Sequence, residues 1–460
     1  MLPPFLAALP AEVDVLATAT PTTTAMVGTI GDSRYAMVLA SANVSLWARI
    51  LRPRNAFIFD VSGRYGRALA ATDTIPAQQD IAARARARLD VTTSSRTRFT
   101  FMSNGFVSSR IGLRADDDLV VRDPFMTNRV LYGFGAQPSF QAITSPRTSF
   151  RFDVQYAQAG AVSADSPEAV GIDTHALTAN ATATMQLAPR IAIGPIARIA
   201  MTHFEHALLD VNLTRGHADV MSASVLGLAR YDITARTQAT AVVGLTAATA
   251  PPQTKDTSTL ISPDARFELR SFGPRVGGSA GVALGYRSLG PRIGFGMDYS
   301  GFLDGWVRPF SGGNYRDVLA HVVARARRAN SILAIAPQSD GAVIGNSQTG
   351  KLATTAFALG AAVTSPIRVG WNFSAGIDLE LVSTRVDPEP RGGQPREIFR
   401  ALFTVGLTAI TSTDPLRRLP RDPFQLPGDP RGAAARRAAA RTGSQPQPND
   451  VGDFWDEESE

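Results

Sequence analysis

The sequence predicts an all-β protein: a transmembrane antiparallel up-and-down β-barrel of eighteen strands, with sixteen as the alternative count. Three observations carry this. Tight turns with a basic residue recur eight times along the 460 residues. Segments in which apolar and polar residues alternate flank those turns. One longer polar loop separates each tight turn from the next. Short turn, long loop, short turn is the rhythm of a barrel whose two ends face different compartments.

Five of the turns carry proline: Leu51 to Arg54, Thr144 to Arg147, Leu187 to Arg190, Leu289 to Arg292 and Thr364 to Arg368. The other three are looser, at Thr93 to Arg96, Ile233 to Arg236 and Arg327 to Asn330. Eight turns join sixteen strands. Phe399 to Thr411 lies beyond the last turn and adds a strand, and an even strand number then requires a partner at the N-terminus. Glu12 to Thr20 supplies it, because Val13, Val15, Ala17 and Ala19 alternate with Glu12, Asp14, Leu16 and Thr18. Both termini then share the tight-turn rim, which is expected to be periplasmic. Asp264 to Ser288 contains a further Phe272-Gly273-Pro274-Arg275 and reads as either one long strand or two.

Ile81 to Val91 has the plainest alternation. Ile81, Ala83, Ala85, Ala87, Leu89 and Val91 fall on one face, and Arg84, Arg86, Arg88 and Asp90 on the other. An arginine facing lipid at mid-depth costs roughly 2–4 kcal/mol, so three such residues fix the register with the guanidiniums inward. Phe150 to Tyr156, Ile293 to Ser300, Val369 to Glu380 and Phe399 to Ile410 repeat the pattern. Arg190 to Phe204 fits less well, because Pro195 demands an edge-like position or a bulge. Phe57, Phe59, Phe99, Phe101, Phe150, Phe152 and Phe399 stand near strand ends, where an interfacial aromatic girdle belongs.

Carrying the alternation through every strand gives the expected lumen lining. Its basic members are Arg64, Arg84, Arg86, Arg88, Arg98, Arg151, Arg325, Arg327 and Arg400. Its acidic members are Asp60, Asp90, Asp153, Asp298, Asp378 and Glu380. Two readings stay open: mutual pairing that stabilises the wall, or a charged constriction with residues 84–98 on one side and 378–380 on another. Wide barrels keep a water-filled interior unless plugged, and the loops Ile111 to Asn128 or Ser300 to Arg316 could fold inward.

Composition narrows the remaining classes. There is no cysteine and therefore no disulfide or thiol metal site. The formal charge is +6, lysine occurs only at Lys255 and Lys351, and the arginines are spread at every-second-residue spacing, which disfavours nucleic acid. No run of 18 apolar residues exists, so a helical membrane span is excluded. Residues 1–11 read as a signal-peptide remnant, 12–412 as the barrel, and 413–460 as a disordered Pro/Arg/Ala-rich periplasmic tail with an acidic end, placed to reach a periplasmic protein or the cell wall.

Gly345 to Lys351 matches most of a phosphate-binding loop, but Leu352 replaces the magnesium ligand and a strand pattern follows instead of a helix, so the segment reads as a surface loop. His203 and His206 have a spacing that suits neither one strand face nor a helical metal pair. Asp116, Asp117 and Asp118 read as a solvated acidic turn, with a site for a divalent cation or lipopolysaccharide-bridging calcium as the alternative. No catalytic pair, cofactor or metal is expected.

With these features the chain resembles bacterial outer-membrane β-barrels over residues 12–411. It departs from many of them by continuing about fifty residues past the last strand. The resemblance implies contact with outer-membrane lipid and lipopolysaccharide. Eighteen strands without a plug domain are similar to sugar-specific porins, which implies passage of polar or weakly anionic solutes or saccharides. The alternative is a barrel component of a polysaccharide-export machine that docks periplasmic partners. A barrel enzyme or adhesin is the third reading.

Overall fold

The computed structural model describes residues 12–30, 33–52, 54–71, 79–109, 129–163, 174–208, 215–249, 259–273, 275–288, 295–309, 318–335, 348–368, 370–387 and 396–412. The segments 1–11, 111–128 and 413–460, on which the leader, the first inward loop and the tail were placed, lie outside them. All regular structure among the described residues is β.

Eighteen strands follow in chain order: β1 (Glu12–Ile30), β2 (Ser33–Leu51), β3 (Asn55–Ala71), β4 (Gln79–Ser94), β5 (Thr97–Ser109), β6 (Arg129–Ser145), β7 (Thr148–Ser163), β8 (Thr174–Ala188), β9 (Ile191–Leu208), β10 (Arg215–Thr234), β11 (Thr237–Thr249), β12 (Thr259–Phe272), β13 (Val276–Ser288), β14 (Phe295–Val307), β15 (Leu319–Ile335), β16 (Gln348–Arg368), β17 (Trp371–Asp387) and β18 (Arg396–Ser412). Each pairs antiparallel with the next, and β1 pairs with β18, so the sheet closes without an edge. Glu12 pairs with Leu51 and Leu16 with Ser412, which brings both described ends to the tight-turn rim.

Two faces follow from the pleat, because residues i and i+2 share a side and directly paired residues share a side. One face is apolar and exposed: Val225 at 73%, Val243 at 61% and Val282 at 60% stand among dozens of exposed aliphatic and aromatic side chains. The opposite face carries the buried charges, including Asp60, Asp153, Glu268, Glu380 and Arg400. Apolar outside and polar inside is the pattern of a barrel that meets lipid. Phe57, Phe59, Phe99, Phe101, Phe150, Phe152 and Phe399 all fall on the apolar face.

Three of the eight expected turns are elsewhere. Thr364 to Arg368 is the end of β16, paired with β17, and the turn follows it at Gly370. Arg327 to Asn330 lies within β15, where the adjacent Arg327 and Arg328 point to opposite faces, as neighbours in any strand do. Leu289 to Arg292 is outside the described residues, and the strand ends on either side of it, Ser288 of β13 and Phe295 of β14, are on the other rim. The tight turn of that region is at Gly273–Arg275, so Asp264 to Ser288 is two strands. β14 also takes Ser300 to Val307, so the first half of the expected inward loop Ser300 to Arg316 is strand. The strand count survives because Leu289 to Arg292 stands for the turn at 273–275, Arg327 to Asn330 for the β14–β15 connection, and Thr364 to Arg368 for the adjacent turn at Gly370.

Proline sits inside central strands here, contrary to the edge or bulge expected for Pro195. The β8–β9 ladder skips the rungs at Gly194 and Pro195, while Pro195 stays in register with Gly227 on β10. The same one-sided gap occurs at Pro138 between β6 and β7, and at Pro21 between β1 and β18. Each missing N–H therefore costs one local break in one ladder, and the long strand carries through it.

Candidate functional site: the inner wall

Every sequence-predicted lumen residue falls on the polar inner face. Asp60 and Arg64 on β3 share the side of Arg84, Arg86, Arg88 and Asp90 on β4 and of Arg98 on β5. Arg151 and Asp153 are on β7; Asp298 on β14; Arg325 and Arg327 on β15; Asp378 and Glu380 on β17; Arg400 on β18.

These residues join in local ladders. Arg86 donates to Asp60 through Nε at 3.0 Å and Nη2 at 2.8 Å, a two-pronged contact on one carboxylate oxygen. Asp90 is shared: it accepts from Arg88 at 3.1 Å, pairs with Arg98 at 3.0 Å and accepts from the Thr100 hydroxyl at 2.7 Å. Asp153 meets Arg151 at 3.4 Å and accepts from the Asn180 amide at 2.9 Å. Arg327 donates from Nε to both oxygens of Asp298 at 3.0 Å, and Arg400 pairs with Glu380 at 3.2 Å. The wall-stabilising reading and the charged-constriction reading thus draw on the same side chains.

Charge is unevenly shared around the ring. Among the described side chains, the inner face of β3–β9 carries Arg64, Arg84, Arg86, Arg88, Arg98, Arg151 and Arg198 against Asp60, Asp90 and Asp153. The inner face of β12–β18 carries Asp264, Glu268, Asp298, Asp304, Asp378 and Glu380 against Arg266, Arg270, Arg325, Arg327 and Arg400. One wall is strongly basic and the facing wall is nearly balanced.

Between these sectors lie two others, nine strands apart in the ring, with one acid and one arginine each: Asp14 and Arg49, 2.6 Å apart, in the first, and Asp232 and Arg230 in the second. On β18–β3, Leu16, Trp47 and Ile58 cluster towards the tight-turn rim, and Met26, Tyr35, Met37 and Leu39 towards the loop rim. Hydroxyl pairs join them, Thr18 with Ser45 at 2.6 Å and Thr22 with Ser41 at 2.6 Å. Opposite, Ile196, Leu226, Leu228 and Val242 cluster on β9–β11, beside Ser224 and Thr246, which are 2.8 Å apart. The inner wall is therefore divided into four strips running with the strands.

Sequence reasoning missed Asp14, Arg49, Arg198, Arg230, Asp232, Asp264, Arg266, Glu268, Arg270 and Asp304 on this face. The signal was present on β12, where Arg266, Glu268 and Arg270 alternate with Phe267 and Leu269. Undecided boundaries between 264 and 288 kept those residues from being assigned to a face. Gln348 to Lys351, the end of the phosphate-loop mimic, opens β16 and is therefore strand where a surface loop was expected; 345–347 are outside the described residues. His203 lies on the outer face, in a row with Tyr156, His175 and Asp219: its Nδ1 is 2.7 Å from Asp219, and the Tyr156 hydroxyl is 2.9 Å from His175 Nδ1. The acidic run at 116–118 is outside the described residues.

No protein-family model and no curated protein matches the chain. Solved structures similar to it include the siderophore receptor PirA from Pseudomonas aeruginosa, at 8% identity and a TM-score of 0.42 over 86% of this chain and 80% of that one. The ferric-catecholate import receptor Fiu from E. coli K12 is similar at 7% identity and a TM-score of 0.42, over 87% and 82%. The copper transporter OprC is similar at 9% identity and a TM-score of 0.44, over 87% and 81%. The inner wall is accordingly read from this chain's own residues.

Proposed function

We propose that the protein is a bacterial outer-membrane channel through which polar, preferentially anionic solutes, saccharides among them, pass along the barrel interior. One observation carries the reading: seven guanidiniums face three carboxylates on the described inner wall of β3–β9. In a low-dielectric tube an excess of fixed positive charge raises the local concentration of anions and lowers that of cations. The β12–β18 wall, nearly neutral, leaves a field across the pore that orients a dipolar or polyhydroxyl solute as it moves. Passage requires positioning and no bond-making. Short turns facing the periplasm would place both described ends on that side.

The test is ion selectivity in a planar bilayer under a salt gradient. The full-length protein is expected to give a reversal potential of the anion-preferring sign. Replacing Arg84, Arg86 and Arg88 together by glutamine should move that potential towards zero while conductance persists. A steady cation preference in the unsubstituted protein overturns the reading.

A further inference from the structure

We propose that the arginines of the tight-turn rim form an annular contact with the headgroups of anionic phospholipids in the leaflet meeting that rim. This rests on the membrane placement proposed above. Six consecutive tight hairpins, from β2–β3 to β12–β13, each end their turn on an exposed arginine: Arg54, Arg96, Arg147, Arg190, Arg236 and Arg275. Each occupies the same structural place. Its carbonyl accepts a backbone N–H from the neighbouring hairpin, from Thr92, Ile143, Gln186, Asp232, Phe272 and Arg308 in turn, at 2.7–2.9 Å. In three of the turns a hydroxyl also holds the arginine N–H: Ser94 at 3.1 Å, Ser145 at 3.3 Å and Thr234 at 3.1 Å.

The backbone alone therefore does the structural task, and any residue could supply it. The guanidiniums are surplus to the fold. Among the described residues none of the six has a carboxylate within ion-pair distance. Immediately inward along the strands, on the lipid side, stand Phe57, Phe150 and Ile191, exposed at 38–39%. An apolar residue with a basic residue just beyond it matches the boundary between acyl chains and phosphates.

Spacing chooses between partners. A folded protein docking on the rim would call for charge gathered on one side. Here one arginine stands on every second strand over two-thirds of the circumference, which suits a flat, continuous, anionic surface.

The test uses full-length protein in bilayer discs of phosphatidylcholine with a minor share of phosphatidylglycerol. Lipid retained by the released barrel is counted by native mass spectrometry. Each basic side chain near an anionic surface contributes ~1 kcal/mol, so retained phosphatidylglycerol should exceed its bulk share about fivefold. Changing all six arginines to glutamine should return the ratio to the bulk value, and changing them to lysine should preserve the enrichment. Heat-modifiable migration on gels reports whether each variant is folded. Should the sixfold glutamine variant misfold, the triple Arg147→Gln, Arg190→Gln, Arg236→Gln is read in its place, with partial loss expected. A wild-type ratio equal to bulk, or enrichment that survives the glutamine changes, overturns the proposal. Conductance of the same samples separates the two readings. Anion passage without lipid preference defeats only the annulus, and lipid preference with cation passage defeats only the channel.

Discussion

Glu380 and Arg400 face each other across the β17–β18 ladder with side chains 6% and 5% exposed. Two charges so enclosed are costly to separate, because removing one leaves the other buried and uncompensated, at about 3–5 kcal/mol. Arg400→Met is therefore expected to lower the temperature at which the folded, fast-migrating form is lost on gels. Adding Glu380→Leu should restore most of that loss, since an apolar pair of similar size is often neutral or better. If the double variant is less stable than the single one, the pair has a role beyond mutual neutralisation. At this scale the sequence was informative where several charges shared one parity, as with Arg84, Arg86 and Arg88. It was silent where a lone charge sat in a broken pattern: Arg198 follows Pro195 by three residues in a strand whose alternation the proline obscures.

At the scale of the strand, four inward aromatics lie across directly paired glycines: Tyr35 over Gly28, Phe106 over Gly133, Trp306 over Gly277 and Phe302 over Gly281. A β-carbon at Gly281 would stand 2.6 Å from the Phe302 ring and 2.9 Å from the Phe267 carbonyl oxygen. The aromatic ring thus fills the place of the absent side chain. Gly281→Val should destabilise the barrel by about 1–3 kcal/mol through overpacking. Phe302→Ala in the same chain should recover only part, because the backbone carbonyl contact remains. Denaturant midpoints of the refolded protein measure both. If Gly281→Val leaves the midpoint unchanged, the ring is free to swing into the interior.

Tight turns were legible where turn chemistry and alternation agreed, from β2 to β11, although the strands run further than the alternation did: β1 was expected at Glu12 to Thr20 and reaches Ile30. That legibility failed between residues 264 and 335 for a physical reason. Gly-Pro-Arg occurs at both 273–275 and 290–292, and local turn propensity cannot say which of two equal turns belongs to which rim. Only strand length decides, since β13 needs the residues between them to cross the sheet. On β15 the adjacent Arg327 and Arg328 put a charge on each face, and this break in parity imitated a turn. At the β16–β17 turn, Gly370 takes the place that arginine holds elsewhere, with φ at +78°, a conformation glycine adopts without strain.

For the whole molecule, closure is the governing fact. All substantial strand contacts are between ladder neighbours, so the described strands support one another only around the ring. Deleting 396–412, which removes β18, should expose the edges of β17 and β1 and give aggregated protein with no heat-modifiable band. Deleting 413–460 should leave that band in place, because the ring is complete at Ser412. Loss of the folded form in the second deletion would show that the tail helps to close or hold the ring.

The seam between β1 and β18 joins residues almost four hundred positions apart, as in the 3.0 Å bond from the Thr20 hydroxyl to Thr408. A strand made first must therefore wait for the strand made last, and loop-closure entropy sets the delay. Until then the chain has no finished product and no partial one: it is an unclosed ribbon with two sticky margins. The seam consequently works as a length inspection. A chain that stops short cannot enter its final form, and a complete one announces itself by disappearing from the pool of open sheets.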